Sequence, residues 1–227
     1  MKLNYSKATK DFKQKRELEK NSMVQIFRIT HYKNLPFILE NGLHCPNANV
    51  YDSEFVPIGF PTLIASRNET EVPIAPCGNL SHYIPFYFTV KSPMLYVIAQ
   101  ANDPEVIRTP QNEIIYLVSS LEKLMEHSCN FVFTDRHAKL AYAKFYNQIH
   151  DIGKLNWDII KSAKWGRQYG NERIEIKQAE CLVQKFIPVQ ALLGIACKDD
   201  EMAETIKREL LKKQLNLPVK IKPEYYF

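Results

Sequence analysis

The sequence predicts an α+β domain, and three observations carry that prediction. Short apolar runs bounded by turn residues recur from residue 23 to the C-terminus and read as strands. Helical segments fall between them irregularly, without the strict strand–helix alternation of a doubly wound sheet. No internal repeat organises the chain. At 227 residues, with 45% apolar and 11% aromatic content, one domain with a substantial core is expected. With 7 glycines among 227 residues, collagen-like and low-complexity classes are excluded.

Residues 1–22 are polar and are expected to form a basic arm preceding a domain over 23–227. Met23 to Thr30 reads as the first strand. Leu35 to Glu40 reads as a short helix, with Asn34 as its cap, Pro36 in its first turn and Gly42 ending it. Residues 44–82 are loop-rich and contain Arg67; a loop of that length inside a domain is usually functional or mobile. Ile84 to Val90 is an aromatic-rich strand, followed by a turn at Ser92 and an apolar run to Ile98. Glu113 to Ser119 is a third strand, Leu121 to His127 a helix, and Phe131 to Thr134 a fourth strand ending in Asp135-Arg136-His137. Ala138 to Ile149 has helical spacing, with Leu140, Phe145 and Ile149 on one side. Trp157 opens another short helix. Residues 161–178 read as a basic loop with Trp165 and Tyr169 interleaved among Lys161, Lys164, Arg167, Arg173 and Lys177. Gln178 to Pro188 is a strand with Leu182, Val183, Phe186 and Ile187, and Glu180 lies near its start. Leu192 to Cys197 is another strand. Asp199 to Leu215 is a helix with acids first and bases last, which matches the helix dipole. A short strand and an aromatic tail close the chain.

The net charge of +5 is uneven. Residues 1–22 hold seven Lys/Arg and three Asp/Glu, a balance of +4, which leaves the body at +1. The body is therefore not a generically basic DNA-coating surface, and nucleic-acid contacts must come from local patches or the arm. The five cysteines are scattered singly, with no CxxC pair, so neither a disulfide framework nor a zinc site is expected. No apolar run has the length of a membrane span, and no signal-peptide core is visible near the N-terminus. A cytoplasmic protein without metal or membrane contact is the expectation.

GxGxxG, Walker, HExxH and GxSxG motifs are all absent. What remains is a set of polar motifs at strand ends: Arg28-Ile-Thr-His31, the Arg67 loop, Pro85-Phe-Tyr-Phe88, Thr134-Asp-Arg-His137 and Glu180. Sites are commonly built there. Each residue has a plain structural alternative. Glu180 is either a solvated strand-edge residue or a carboxylate put to use. Arg67 in a polar loop is by default a solvated charge. His31 could cap a helix, as could Arg136 and His137. Tyr87 and Tyr96 could be core aromatics, the 161–178 loop a solvated linker, and His44, His82, His127 and His150 structural or exposed.

Taken together and in order, RITHYKNLPFILENGL, IGFPTLIASR, VPIAPCGNLSHYIPFYFTVKSPMLY, FVFTDRHA, KQAECLV and the closing YY resemble the DarT family of DNA ADP-ribosyltransferase toxins. The resemblance runs from about Phe27 to the end. It implies an ADP-ribosyltransferase-like split, bent β-core with flanking helices and NAD as co-substrate in its cleft. It implies transfer of ADP-ribose to a base in single-stranded DNA, thymine N3 favoured, with release of nicotinamide. It also implies a cognate antitoxin with ADP-ribosylglycohydrolase (macrodomain) activity.

Carried onto this chain, the family pattern makes Glu180 and Arg67 catalytic. It assigns Arg28, Thr30, His31, Asn34 and Tyr87 to NAD. Arg136, His137, Trp165, Arg167, Tyr169 and Arg173 are the expected DNA contacts. One departure is Arg28, where some relatives carry His.

The chemistry of these residue types agrees. Cleavage of the nicotinamide–ribose bond builds positive charge on the ribose, which a carboxylate stabilises. A diphosphate needs donors, and a planar nicotinamide needs an aromatic wall. An imide nitrogen needs a cation or base beside it before it becomes a nucleophile; an arginine serves as the cation but is a poor base. The same transfer to guanine, RNA or protein, or a non-enzymatic single-strand binder that stacks bases on its aromatics, are the alternatives.

Overall fold

The structure, a computed structural model, describes residues 23–100 and 103–227; the expected basic arm lies outside the described residues. Ten strands are described: β1 Gln25–His31, β2 Leu43–His44, β3 Tyr83–Tyr87, β4 Ile114–Ser120, β5 Phe131–Thr134, β6 Phe145–Tyr146, β7 Glu180–Gln184, β8 Phe186–Ile187, β9 Gly194–Cys197 and β10 Val219–Ile221. The helices are α1 Leu35–Asn41, α2 Pro61–Ala65, α3 Pro93–Gln100, α4 Leu121–Glu126, α5 Trp157–Ile160, α6 Asn171–Lys177 and α7 Asp200–Lys212. Eight strands form one sheet in the order β10-β9-β4-β1-β3-β7-β5-β6, and β2 pairs with β8 beside it. All pairings in the large sheet are antiparallel except β9 with β10.

Strand alternation builds the layers. In β4, Ile115 and Leu117 belong to the main core beneath α1, α4 and α7, while Ile114 and Tyr116 face α3 and the C-terminal tail. In β7, Cys181 and Val183 join the main core and Leu182 joins a third cluster with Tyr83 and Val132. One face of the sheet thus carries a continuous core and the other carries two separate clusters. The division follows the strand pairing. β1 aligns with β4 along seven residues, from Gln25↔Ser120 to His31↔Ile114, but with β3 only at Phe27↔Tyr87. Beyond that pair β1 and β3 part, and the sheet is split there.

Most elements form where the sequence places them. Asp199 caps α7 by accepting from the Met202 N–H at 3.0 Å. The Ser92 hydroxyl accepts from the Leu95 N–H at 3.2 Å as the apolar run to Ile98 coils into α3. Three expectations are corrected. Residues 138–149 do not form a helix: the chain turns back and Phe145–Tyr146 pairs with β5. Asp135 grips Lys144 through both backbone and carboxylate, and Tyr146 stacks on Phe133 at 5.5 Å, so cross-strand pairing overrides the helical spacing. The second half of the 161–178 loop is helical, as α6. Asn34 makes no side-chain cap to α1, because its amide is engaged elsewhere.

Gly42 ends α1 at φ 76°, and a Cβ there would lie 2.5 Å from the Phe186 ring and 2.7 Å from the Ile187 carbonyl oxygen. Neither backbone strain nor overlap with a neighbouring strand can be relieved locally. Gly42→Ala is expected to cost about 2 kcal/mol and to lower Tm by about 4–8 °C in a thermal melt followed by circular dichroism.

Candidate active site

Glu180 is the first residue of β7 and stands opposite Tyr87 of β3. Its backbone N–H donates to the Thr134 hydroxyl at 3.1 Å, which itself donates to the Arg136 carbonyl at 2.6 Å, so the end of β5 sets its position. Its carboxylate accepts from Arg67 Nη2 at 3.1 Å, with side-chain exposures of 2% for Glu180 and 12% for Arg67. Arg67 lies in the tight turn Ser66–Glu69 that follows α2. That turn is tied down on several sides. Leu80 N–H donates to Thr70 O at 2.8 Å, the Asn79 amide donates to Asn68 O at 2.6 Å, and Lys139 Nζ donates to Ser66 Oγ.

Arg28 of β1 reaches across the split in the sheet, and its Nη1 donates to the Pro85 carbonyl of β3 at 3.0 Å. Its Nε is buried without a partner among the described residues, which is rare for a buried donor and leaves it available to a ligand. Burial, and then the nearby Arg67 cation, push the Arg28 pKa down to about 10, so it remains charged at neutral pH. Burial, followed by the charge of Glu180, pushes the Tyr87 phenol up and keeps it a proton donor. Arg28, Arg67, Tyr87 and Glu180 therefore form one electrostatic unit.

These groups lie in a cleft of about 430 Å³. Ile58 and Met94 line it from one of the two separate clusters and Tyr83 from the other. Tyr51 (77% exposed) and Phe55 (52% exposed) stand at its rim. Thr30 and Asn34 are buried in its wall. The Asn34 amide donates to Thr30 Oγ1 at 3.0 Å and to Val56 O at 2.9 Å, and its oxygen accepts from Val56 N–H at 2.8 Å. Asn34 thus pins the rim segment to the base of α1. His137 also lines the cleft. Its Nδ1 accepts from the Lys139 N–H at 3.2 Å, which places the proton of the neutral ring on Nε2. Burial lowers the His137 pKa, outweighing the opposing pull of Glu180.

The other expected site residues lie outside the cleft lining. His31 is buried with Nε2 at 2.9 Å from Glu113 Oε2, and its ring stacks on Tyr32. Arg136 sits between Asp135 at 3.4 Å and Glu175 at 3.6 Å, over the Tyr142 ring. Arg173 donates to Lys164 O at 2.8 Å and to Ser162 Oγ at 3.2 Å. Trp165 packs edge-on against Tyr96 and Phe227, while Arg167 and Tyr169 are exposed. Sequence reasoning passed over Lys139, the Tyr51 and Phe55 rim and the burial of Lys177. For the rim, aromatics inside a loop-rich polar stretch were an available signal. Nothing in the sequence distinguishes Lys177 from its solvated neighbours.

Among the described residues no group of three or more His, Cys, Asp or Glu is placed to hold a metal ion. The cleft offers a buried carboxylate for positive charge, an unpartnered arginine donor for phosphate, and an aromatic wall for a planar ring. A split sheet with that equipment is the framework of an ADP-ribosyltransferase. The family model described as ssDNA thymidine ADP-ribosyltransferase, DarT, matches residues 27–227. A DNA ADP-ribosyl transferase of Escherichia coli O127:H6 is 36% identical over 203 residues, covering 89% of this chain and 93% of the relative. The structure of Thermus sp. 2.9 DarT in complex with ADP-ribosylated ssDNA superposes with a TM-score of 0.83 at 33% identity, over 90% of this chain and 96% of that one. The same Thermus protein in complex with NAD+ gives 0.80 at 32% identity, over 91% and 98%. A DNA ADP-ribosyl transferase–DNA ADP-ribosyl glycohydrolase fusion protein of Thermosipho africanus is 23% identical over 89% of this chain and 49% of the fusion. This chain belongs to the DarT family of NAD-dependent DNA ADP-ribosyltransferases.

The depressed His137 pKa sets a stability expectation. As pH falls through the ordinary value of 6.5, the unfolded chain takes up a proton that the folded chain still refuses. Stability attributable to His137 is thus full above pH 6.5 and is lost on acidification below it. Denaturant titrations from pH 7 to pH 5 should show a shallower loss in His137→Asn than in the parent protein.

Proposed function

We propose that the chain transfers ADP-ribose from NAD to N3 of thymine in single-stranded DNA, with Glu180 and Arg67 as its catalytic pair. The observation that carries this reading is their buried contact in a cleft that Arg28, Tyr87 and many apolar groups also line. In the transfer, the bond from nicotinamide to ribose C1 breaks and its electron pair leaves with neutral nicotinamide, a bond from C1 to thymine N3 forms, and the N3 proton passes to solvent water. Glu180 accepts a ribose hydroxyl hydrogen bond and offsets the positive charge that builds on the sugar. Arg67, already against that carboxylate, faces the acceptor and stabilises the imide anion. Arg28 offers its free Nε to the diphosphate, and Tyr87 supplies the aromatic wall beside the nicotinamide. Thr30 and Asn34 shape that wall, and His31 acts from behind it by bracing β1 against Glu113. His137 faces the base as a neutral Nε2–H donor to a carbonyl oxygen rather than as a proton acceptor.

The N3 edge of thymine is its pairing edge, so a duplex hides the reacting atom and costs a few kcal/mol to open. A body charge of only +1 and the absence of a basic recognition helix among the described residues favour an unpaired strand. Trp165, Arg167 and Tyr169, with Lys161 and Lys164, are suited to stacking bases and holding phosphates along such a strand. Arg136 and Arg173 are engaged by protein partners and serve DNA by shaping that surface. The glycohydrolase half of the fusion relative supports a partner antitoxin that removes the mark. A cytoplasmic location fits the consumption of NAD and five free cysteines. No helix among the described residues is long and apolar enough to cross a membrane.

Incubation with NAD and oligonucleotides differing in one base, read by mass spectrometry, tests the reading. Thymine-containing single strands should gain ADP-ribose, and the paired duplex should gain little; labelling of thymine-free strands would overturn the acceptor assignment. Glu180→Gln is expected to lower transfer by about 3–4 kcal/mol of barrier, a loss of two to three orders of magnitude. Arg67→Ala should keep NAD affinity while losing base modification; equal loss of NAD binding would make Arg67 a cofactor ligand instead.

A further inference from the structure

Lys177, the last residue of α6, is 3% exposed, yet among the described residues it has no acidic partner. Its ammonium donates to Ser162 O at 2.7 Å and Ile160 O at 2.9 Å, and lies 3.4 Å from Thr89 Oγ1. Two of these acceptors are carbonyls at the C-terminal end of α5, where a cation is favoured by the unsatisfied carbonyl groups. The third belongs to the chain leaving β3, two residues beyond Tyr87. Burial without a counter-charge lowers the Lys177 pKa to about 8. A methionine would pack in such a place without that cost; what the ammonium adds is the set of hydrogen bonds that hold these segments together.

What it holds is a loop. Residues 162–177 leave the end of α5, carry Lys164, Trp165, Arg167 and Tyr169, and return through α6 to Glu180 three residues later. Lys177 fastens the return of this loop to its departure at Ser162. Arg173 fastens it a second time, through Ser162 Oγ and Lys164 O. Trp165 is then held edge-on between Tyr96 and Phe227, at 5.5 and 6.4 Å.

We propose that Lys177 is a positioning residue for the acceptor: its buried ammonium closes the 162–177 loop and presents the DNA-facing side chains at a fixed height beside Glu180. The proposal rests on the single-stranded DNA reading above. Neither Lys177 nor any of its three acceptors lines the cleft, and Lys177 takes no part in the chemistry. A preordered loop spares the strand the entropy of arranging it, so the effect belongs to acceptor binding and not to NAD.

The experiment measures KM and kcat for a thymine-containing single strand, and NAD hydrolysis without DNA, in parent protein and in Lys177→Met. Lys177→Met is expected to raise the KM for DNA roughly tenfold, the effect of losing one anchoring interaction, while NAD hydrolysis changes less than about twofold. Thr89→Val, which removes one acceptor and no charge, should show the same split at smaller size and keeps the test open if Lys177→Met does not fold. Parallel loss of DNA transfer and NAD hydrolysis, or an unchanged KM for DNA in the folded variant, overturns the proposal. Failure of the parent protein to modify any single strand would instead overturn the acceptor reading itself.

Discussion

The contact between Arg67 and Glu180 is the constraint around which the rest of the molecule is arranged. Two opposite charges taken out of water gain less from each other than they lose in hydration, unless geometry and further hydrogen bonds are favourable. Here one oxygen–nitrogen contact of 3.1 Å joins a loop to a strand 113 residues away. A well-packed apolar pair would stabilise the fold at least as well. The surrounding structure nevertheless spends many bonds on keeping both partners in place: Thr134 beneath Glu180, and Asn79, Thr70 and Lys139 around the Arg67 turn. That investment makes sense for a preorganised electrostatic site, where groups must already point correctly when charge develops.

The split in the sheet supplies the room. An antiparallel sheet that stayed paired between β1 and β3 would bury both strand edges in backbone hydrogen bonds. Parting after Phe27↔Tyr87 frees the edges, and Arg28 takes up one of them through the Pro85 carbonyl. The same guanidinium keeps a buried N–H unspent. Structural bracing and an available donor therefore share one side chain.

The sequence carried much of this in plain form. Strands announced themselves because their apolar runs end at proline, glycine or polar clusters, and α7 because its charges follow its dipole. The segment 138–149 misled because Leu140, Phe145 and Ile149 have helical spacing while the deciding contact, Tyr146 on Phe133, lies on another strand. For the site, residues in ordered motifs such as Arg28, Arg67 and Glu180 could be picked out through the joint pattern of motifs. Their mutual contacts could not, since burial of a charge is a property of packing. Lys177 shows the limit clearly: it stands in a run of lysines and arginines, and only the fold separates a buried ammonium from solvated ones. Asn34 does not cap the helix as its place in the sequence suggested; its amide holds Val56 instead of a helix end.

The strand order has a temporal meaning. The centre of the sheet, β4-β1-β3-β7, draws strands from both ends of the chain, and β1 pairs with a strand that begins more than eighty residues later. Contacts so distant in sequence close slowly and late. During synthesis the N-terminal half emerges first with Arg28 and Arg67 but with neither Glu180 nor the strand that carries it. Until β7 has left the ribosome and paired with β3, no electrostatic pair exists in the cleft. The topology thus makes the buried ion pair a late contact of folding, which forms only when the strands from β1 through β7 are all available to the sheet.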